Sequence, residues 1–238
     1  MKLSLIIPAY NEEKVIGDTL KKVVAFFSKK NYSWQIIVVD DGSVDETPKI
    51  VREFIREEKR VSLIILDKNK GKGAALKKGF LKAKGKYAIF SDADLSVDIN
   101  LADTFLKFLK DHDVVIASRR VKGARIAVPQ PVLRETMGRF YTLLTSLIIG
   151  MNIKDYTCGF KGFKREAARK IFSNTKIDRW AYDSEVLFLA KKYGYSIKQV
   201  PVKWVNREDT RVKLGSVVFE SLKDLIMVRI NDLRKRYE

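Results

Sequence analysis

The chain has 238 residues, 46% of them hydrophobic, which excludes a disordered or fibrous polypeptide and allows one large domain or two small ones. Lys and Arg number 47 against 29 Asp and Glu, a formal charge of +18 that predicts attraction to polyanions: nucleic acid, nucleotide phosphates or an acidic membrane face. Cys158 is the only cysteine, so no internal disulfide can form and a reducing, cytoplasmic setting is expected; "LSLII" lacks the length and cleavage site of a signal peptide, and the longest apolar run, Phe140 to Met151, falls short of the ~20 residues that cross a bilayer.

"LSLIIPAY" reads as the first strand. "EKVIGDTLKKVVAFFSKK" follows with Ile16, Leu20, Val23 and Phe27 on one helical face. "WQIIVVDDG" is the second strand, and Ser43 and Glu46 after it have capping-box spacing for the next helix. "VSLIILD", "YAIF" and "DVVIAS" supply three more strands, each beside a helical segment. This alternation predicts parallel strands joined by crossover helices, so residues 1–120 should form an open, doubly wound α/β sheet with ligands at the carboxyl ends of its strands. Tyr10, Asp40, Asp41, Asp92, Asp94 and Arg119 all follow such strands and should share one rim. For Asp40 a turn-forming role competes with a ligand role.

Beyond Arg120 the pattern changes. One amphipathic helix carries Leu133, Met137, Phe140, Leu144, Leu147 and Met151 on an apolar face with Arg134 and Arg139 beside it. That face either packs on the core or lies in a lipid headgroup layer. "CGFKGF" suggests a short strand, "AYDSEVLFLAKKYG" a helix ended by Gly194, and "SIKQVPVKW" a last strand. The apolar C-terminal stretch from Ser216, with Lys223, Arg229 and "RKR" spaced through it, either packs on the earlier helix or extends a membrane-facing patch.

The pair in "SDADLS" is the sharpest chemical feature. Two carboxylates one residue apart repel unless a cation, proton or donor sits between them. At a strand end they suit Mg²⁺ or Mn²⁺ gripping a diphosphate, with Ser96 adding a hydroxyl or water contact. Tyr10 offers a flat face to a base, Asp41 can accept from a base or ribose, and Arg119 and Arg207 can meet phosphates. "NKGKGAAL" looks like a phosphate loop but matches neither the Walker pattern nor G-x-G-x-x-G. Asp183 and Glu185 either cap their helix or approach the reacting centre. His112, the only histidine, reads as a loop residue, and Cys158 as structural.

"PAYNEE", "VVDDGS", "NKGKGAAL", "SDADLS" and "ASR", in this order, resemble the family 2 glycosyltransferases of GT-A fold, and the resemblance covers nearly the whole chain. "RETMGRFYTLLTSLIIGMNIKDYTCGFKGFKREA", "RWAYDSEVL" and "VPVKW" are similar, more narrowly, to dolichyl-phosphate β-glucosyltransferases, and less closely to polyprenyl-phosphate mannose synthases. The resemblance implies one GT-A domain over 1–238, an open, mostly parallel sheet with C-terminal amphipathic helices, whose first 120 residues bind nucleotide sugar and whose remainder binds acceptor. It implies inverting transfer from a nucleotide sugar, UDP-glucose foremost, to a dolichyl or polyprenyl phosphate. Pro8, Tyr10, Glu12, Val39 and Asp41 would contact the nucleoside. Asp92, Ala93 and Asp94 would flank the diphosphate, with Asp92, Asp94 and Ser96 at the metal. Arg119, Arg139 and Arg134 would hold the acceptor phosphate, and Arg207 and Lys213 would close over the donor. Ser96 stands where mannose synthases have glutamine, and "TRVKL" where relatives often have a Gly-x-Ser-Lys-Leu loop.

A phosphate monoester is already anionic near neutral pH, its second pKa being about 6, so no strong general base is required and the missing catalytic histidine is explained. Positive charge is what such a site needs, and the basic excess serves both this and an acidic membrane face. The expected setting is peripheral, on the cytoplasmic face of a membrane, with room for a separate anchoring protein. Three alternatives stay open: a mannose synthase using GDP-mannose, a soluble transferase to a sugar hydroxyl with Asp183 or Glu185 as base, and a non-catalytic nucleic-acid binder. The last is disfavoured because the aromatics lie within apolar runs rather than along a basic face.

Overall fold

The computed structural model describes residues 1–205 and 214–238, the side chains of 133–134 and 214–219 excepted. Strands β1 (Leu3–Ala9), β2 (Trp34–Asp40), β3 (Val61–Ile65), β4 (Tyr87–Ser91) and β5 (Val114–Ser118) come from the five β-branched runs. With β7 (Phe160–Lys164) and β8 (Ile197–Pro201) they form one sheet in the order β3-β2-β1-β4-β7-β5-β8. The period-2 alternation of side chains sorts each strand between two cores. Leu5, Ile7, Ile36, Val38, Ile89 and Val115 face a layer that includes α1 (Ile16–Ser28), α2 (Thr47–Glu57) and α4 (Leu101–Phe108). Ile6, Ile37, Val39, Phe90 and Ile116 face α3 (Lys72–Lys82), α6 (Arg165–Asn174), α7 (Tyr182–Lys192) and α8 (Leu214–Leu233). Both faces are covered, as a doubly wound sheet requires, and α1 buries the expected Ile16, Leu20, Val23 and Phe27.

Four local features differ from the sequence expectations. Strand β7 is antiparallel and inserts between β4 and β5, so the sheet mixes strands from both sides of residue 120. "SIKQVPVKW" is not one strand: β8 ends at Pro201, which has no amide to continue the ladder, and β9 (Lys203–Val205) pairs instead with β6 (Arg125–Val128) in a second, two-stranded sheet. The capping box is not formed. Ser43 Oγ donates to Asp40 and accepts from the Asn11 amide at 2.8 Å, while α2 begins at Thr47. Finally, the apolar stripe of α5 (Val132–Ile149) faces the core only in part: Phe140 and Leu147 are 56% and 71% exposed, Met137 and Leu144 are half-buried, and Met151 just past the helix packs against the core, while Thr145 and Ile149 are buried. The predicted helix stop at Gly194 holds, with φ +74° after α7.

Candidate active site

Strand order reverses between β1 and β4, and the crevice beyond their carboxyl ends is where an open α/β sheet takes its ligand. The loops after β1 and β2 are locked together there. Asn11 adopts φ +55° and accepts from the Val44 amide at 2.9 Å, and Thr47 accepts from the Glu12 amide at 2.7 Å. Asp40 is fully buried on Ser43, the turn-forming alternative. The two oxygens of Asp41 accept the amides of Lys70 and Gly71, each at 2.8 Å, and so fix the start of α3; burial pushes its carboxyl up. Tyr10 is 39% exposed on the rim and Pro8 and Glu12 are half-buried, but the Val39 side chain belongs wholly to the core.

On the other side of the crevice the Asp92–Asp94 turn is pinned from three directions. Thr19 of α1 donates to the Ala93 carbonyl at 2.5 Å, the Asp92 amide donates to Gly159 at 3.2 Å, and Asp94 accepts from Ser96 N and Oγ at 2.9 and 2.7 Å. Leu95 completes the turn at φ +50°, a region that a non-glycine residue occupies only when its surroundings enforce it. Lys72, from the loop that looked like a phosphate cradle, donates to Asp92. Burial, Asp94 and Asp183 hold the Asp92 carboxyl above the ordinary carboxylate range against the pull of Lys72. Asp92, Asp94 and Ser96 offer hard oxygen donors that suit Mg²⁺ or Mn²⁺. No group of three or more His, Cys, Asp or Glu gathers to hold an ion among the described residues, so the remaining ligand positions would fall to diphosphate and water.

Antiparallel β7 sets Gly159 so close that an added Cβ would lie 1.8 Å from Asp92 Oδ2. Gly159→Ala is therefore expected to displace the carboxylate and lower kcat/KM about 100-fold with the thermal midpoint little changed. Paired turnover and melting measurements check this, and wild-type turnover would contradict it.

Both residues of the second acidic pair are engaged in buried contacts, and Asp183 lies near enough to Asp92 and Lys72 to act on them electrostatically. Asp183 is paired with Lys161 at 2.5 Å, both side chains at 8% exposure or less, and Lys161 also donates to the Cys158 carbonyl. Glu185, wholly buried, accepts the Lys176 and Ile177 amides and the Tyr237 hydroxyl at 2.8, 2.9 and 2.6 Å, tying the C-terminal segment to α7. Burial pushes the Cys158 thiol up to about 12, in keeping with a structural cysteine.

Three arginines meet past the end of β5. A cavity of about 270 Å³ is lined by Arg119, Arg120, Arg139, Glu135, Ile126 and Trp204, among others. Arg119 is bonded to buried Asp155 at 2.7 and 2.8 Å and to Thr157, and its guanidinium lies 5.3 Å from the centroid of the Trp204 ring. Arg120, not singled out in the sequence, donates to Gly138 O and Thr142 Oγ1 and so ties β5 to α5. Arg139 is held by Glu135 at 2.6 Å. Trp204 also joins this cavity to the paired carboxylates: Val97 bridges to Trp204, and the Val205 amide donates to Ser96 O at 3.2 Å. The structure thus brings Arg119 and Arg139 together, while Arg207, Lys213 and the Arg134 side chain lie outside the described residues.

The sheet, its switch-point crevice and the acidic turn beside it define a glycosyltransferase of the GT-A fold. Residues 4–172 match the family model described as Glycosyl transferase family 2, and the chain belongs to that family. It is 33% identical to a dolichyl-phosphate β-glucosyltransferase of Dictyostelium discoideum, over 97% of this chain and 75% of that protein. The dolichyl-phosphate β-glucosyltransferase of Saccharomyces cerevisiae is also 33% identical, over 96% and 74%. Among solved structures, glucosyl-3-phosphoglycerate synthase from Mycobacterium tuberculosis with UDP superposes with a TM-score of 0.69 at 18% identity, covering 95% of this chain and 79% of that one. A crystal form of that enzyme holding Mn²⁺, UDP and product gives the same score.

Proposed function

We propose that this glycosyltransferase moves glucose from UDP-glucose, with inversion, to the phosphate of dolichyl or another polyprenyl phosphate at an acidic membrane surface. The observation that carries the reading is the arginine-lined cavity joined through Trp204 to the Asp92–Asp94 turn. The state of the acidic residues supports it. A hydroxyl acceptor would need a base, yet Asp183 and Glu185 are both engaged in buried structural contacts; an ionised phosphate needs none.

In this reading residues 1–120 hold the nucleotide sugar and residues 121–238 the acceptor. Pro8, Tyr10, Glu12 and the Asp41-fixed loop frame the nucleoside. Asp92 and Asp94, with Ser96, would hold Mg²⁺ or Mn²⁺, which when bound offsets the negative charge that grows on the leaving diphosphate. Arg119, kept in place by Asp155, and Arg139, which exchanges Glu135 for the incoming phosphate, draw one anion toward another and align it for attack.

Among the described residues no helix is long and apolar enough to cross a membrane. The outer faces of α5 and α8 instead expose Val132, Phe140, Leu143 and Leu147 on α5 and Ile226 and Leu233 on α8. Arg139, Lys223, Arg229 and the Arg234–Lys235–Arg236 run are exposed on or beside these helices. Apolar side chains seated among basic ones suit a headgroup layer, where each Lys or Arg adds about 1 kcal/mol near anionic lipid. The cytoplasmic leaflet is the acidic face such a surface fits, with or without a separate anchoring protein.

A matrix of UDP- and GDP-sugars against a short polyprenyl phosphate, with and without Mn²⁺, tests the proposal. Lipid-linked glucose from UDP-glucose is the expected product. Product from GDP-mannose alone would replace donor and sugar, and no lipid-linked product from any donor would overturn the reading. Arg139→Ala should raise the KM for the lipid phosphate about 10- to 100-fold, the loss of one charge-assisted contact, while the donor KM stays near wild type. Equal changes in both would remove Arg139 from the acceptor site.

A further inference from the structure

The phosphate-loop lookalike "NKGKGAAL", whose start Asp41 fixes, also delivers Lys72 to the centre of the site, a residue with no role in the function described so far. Its backbone is rigidly placed. Asp41 holds the amides of Lys70 and Gly71, Gly71 adopts φ +109°, and an added Cβ there would lie 2.5 Å from the Asp178 carbonyl oxygen. From this anchor the Lys72 ammonium reaches Asp92 and lies 5.6 Å from the Phe90 ring centroid. Asp94 and Asp183 also act on it electrostatically, but Asp183 already has Lys161.

The two lysine–aspartate pairs differ in access. Lys161 and Asp183 are sealed, with side chains 1% and 8% exposed, whereas Lys72 and Asp92 are 37% and 32% exposed in the crevice. A sealed pair is part of the packing, and a half-open one can change partners. Lysine is suited to such exchange because its three donors ride on a flexible stem.

We propose that Lys72 is the resident counter-ion of the Asp92–Asp94 centre, holding Asp92 until a donor diphosphate arrives, so that the centre takes a divalent cation with the diphosphate and not before it. This rests on the reading of the paired aspartates as a metal site. An ammonium and a dication compete for the same carboxylate oxygen, and they repel each other across the turn. The anionic oxygens of a diphosphate give the ammonium a second partner and release Asp92. Lys72 is then a positioning residue for the donor: it orders binding and adds positive charge beside the leaving group.

The test is Mn²⁺ titration followed by electron paramagnetic resonance on the full chain, first without nucleotide and then with UDP. Wild type, Lys72→Met, Lys72→Arg and Lys68→Met are compared, Lys68 being an exposed lysine four residues upstream that serves as the charge control. Without UDP, Lys72→Met should bind Mn²⁺ at least about tenfold more tightly than wild type, the scale on which one neighbouring charge moves a carboxylate's affinity for a cation. Lys72→Arg and Lys68→Met should stay close to wild type. UDP should tighten Mn²⁺ binding strongly in wild type and less in Lys72→Met. A gain of affinity cannot come from structural damage, and Lys72→Gln, titrated in the same way, replaces Lys72→Met if that variant fails to fold. Unchanged or weaker Mn²⁺ binding without UDP in the neutral variant, or an equal gain in Lys68→Met, would overturn the counter-ion role while leaving the metal site standing. If wild type with UDP binds no Mn²⁺, the metal reading falls and the counter-ion role with it.

Discussion

Asp94→Asn is expected to lower kcat/KM for sugar transfer about 1000-fold, the upper range for removing one charged group that steadies a transition state, while the protein stays folded. Asp94 sits at the rim and its hydrogen bonds run to Ser96 two residues away, contacts that an asparagine oxygen can still accept in part. The turn itself is held by Thr19 and Gly159, which the substitution does not touch. What disappears is one of the two negative charges that make the turn a cation site. Steady-state kinetics with saturating Mn²⁺ and a circular-dichroism melt check both halves of the expectation. Near-normal turnover would remove Asp94 from the metal centre.

Asp155→Ala should lose about 3–5 kcal/mol of stability, the range for removing one partner of a buried ion pair. Asp155 has no exposed surface, and it bonds the Arg119 amide, Nε and Nη2 at 3.0, 2.7 and 2.8 Å. Without it the guanidinium, only 14% exposed, is left in a low-dielectric crevice with Thr157 as a remaining partner. At about 2–4 °C per kcal/mol for a chain of this size, the midpoint should fall by roughly 6–20 °C. The pH dependence has a definite sign. Burial alone would raise the Asp155 carboxyl, but the Arg119 hydrogen bonds and charge outweigh it and hold it below the ordinary carboxylate range. Its contribution is therefore complete above the unfolded aspartate value of about 3.9 and is lost as pH falls through the lower folded value. The stability gap between wild type and Asp155→Asn should close in acid. Urea melts from pH 7 down to pH 3 measure this, and a gap that widens toward acid would contradict the assignment.

What could be read from the sequence follows the range of the interactions involved. Strands β1 to β5 and helix α1 announce themselves because each face is written within a few residues, by β-branched runs or by a four-residue apolar repeat. The rim was legible for the same reason, since every candidate on it simply follows a strand. Direction and pairing are not local. "CGFKGF" shows a strand but carries no sign that it runs backwards between β4 and β5, and that reversal is what places Gly159 against Asp92. Ser43 has the spacing of a cap, but "DDGSVDET" offers several oxygens to the same few amides, and the loop after β1 takes Ser43 and Thr47. The contacts of Arg119, Asp183 and Glu185 come from partners 36, 22 and 52 residues away: Asp155, Lys161 and Tyr237. Asp155, Lys72 and Arg120 were missed as site residues because nothing beside them in sequence marks what they touch. The α5 stripe shows the opposite failure. Its periodicity was plain, but periodicity gives the face and not what covers it, and Phe140 and Leu147 face outward.

The central claim is that the arginine-lined cavity accepts an oxygen that is already ionised, so the enzyme works without a general base. The direct measurement is transfer from UDP-glucose, with Mn²⁺, to a short polyprenyl phosphate and to the matching polyprenol under identical conditions. Transfer to the phosphate should exceed transfer to the alcohol by at least about 1000-fold, within the range a missing general base costs a hydroxyl acceptor. Comparable transfer to the two acceptors would contradict the account.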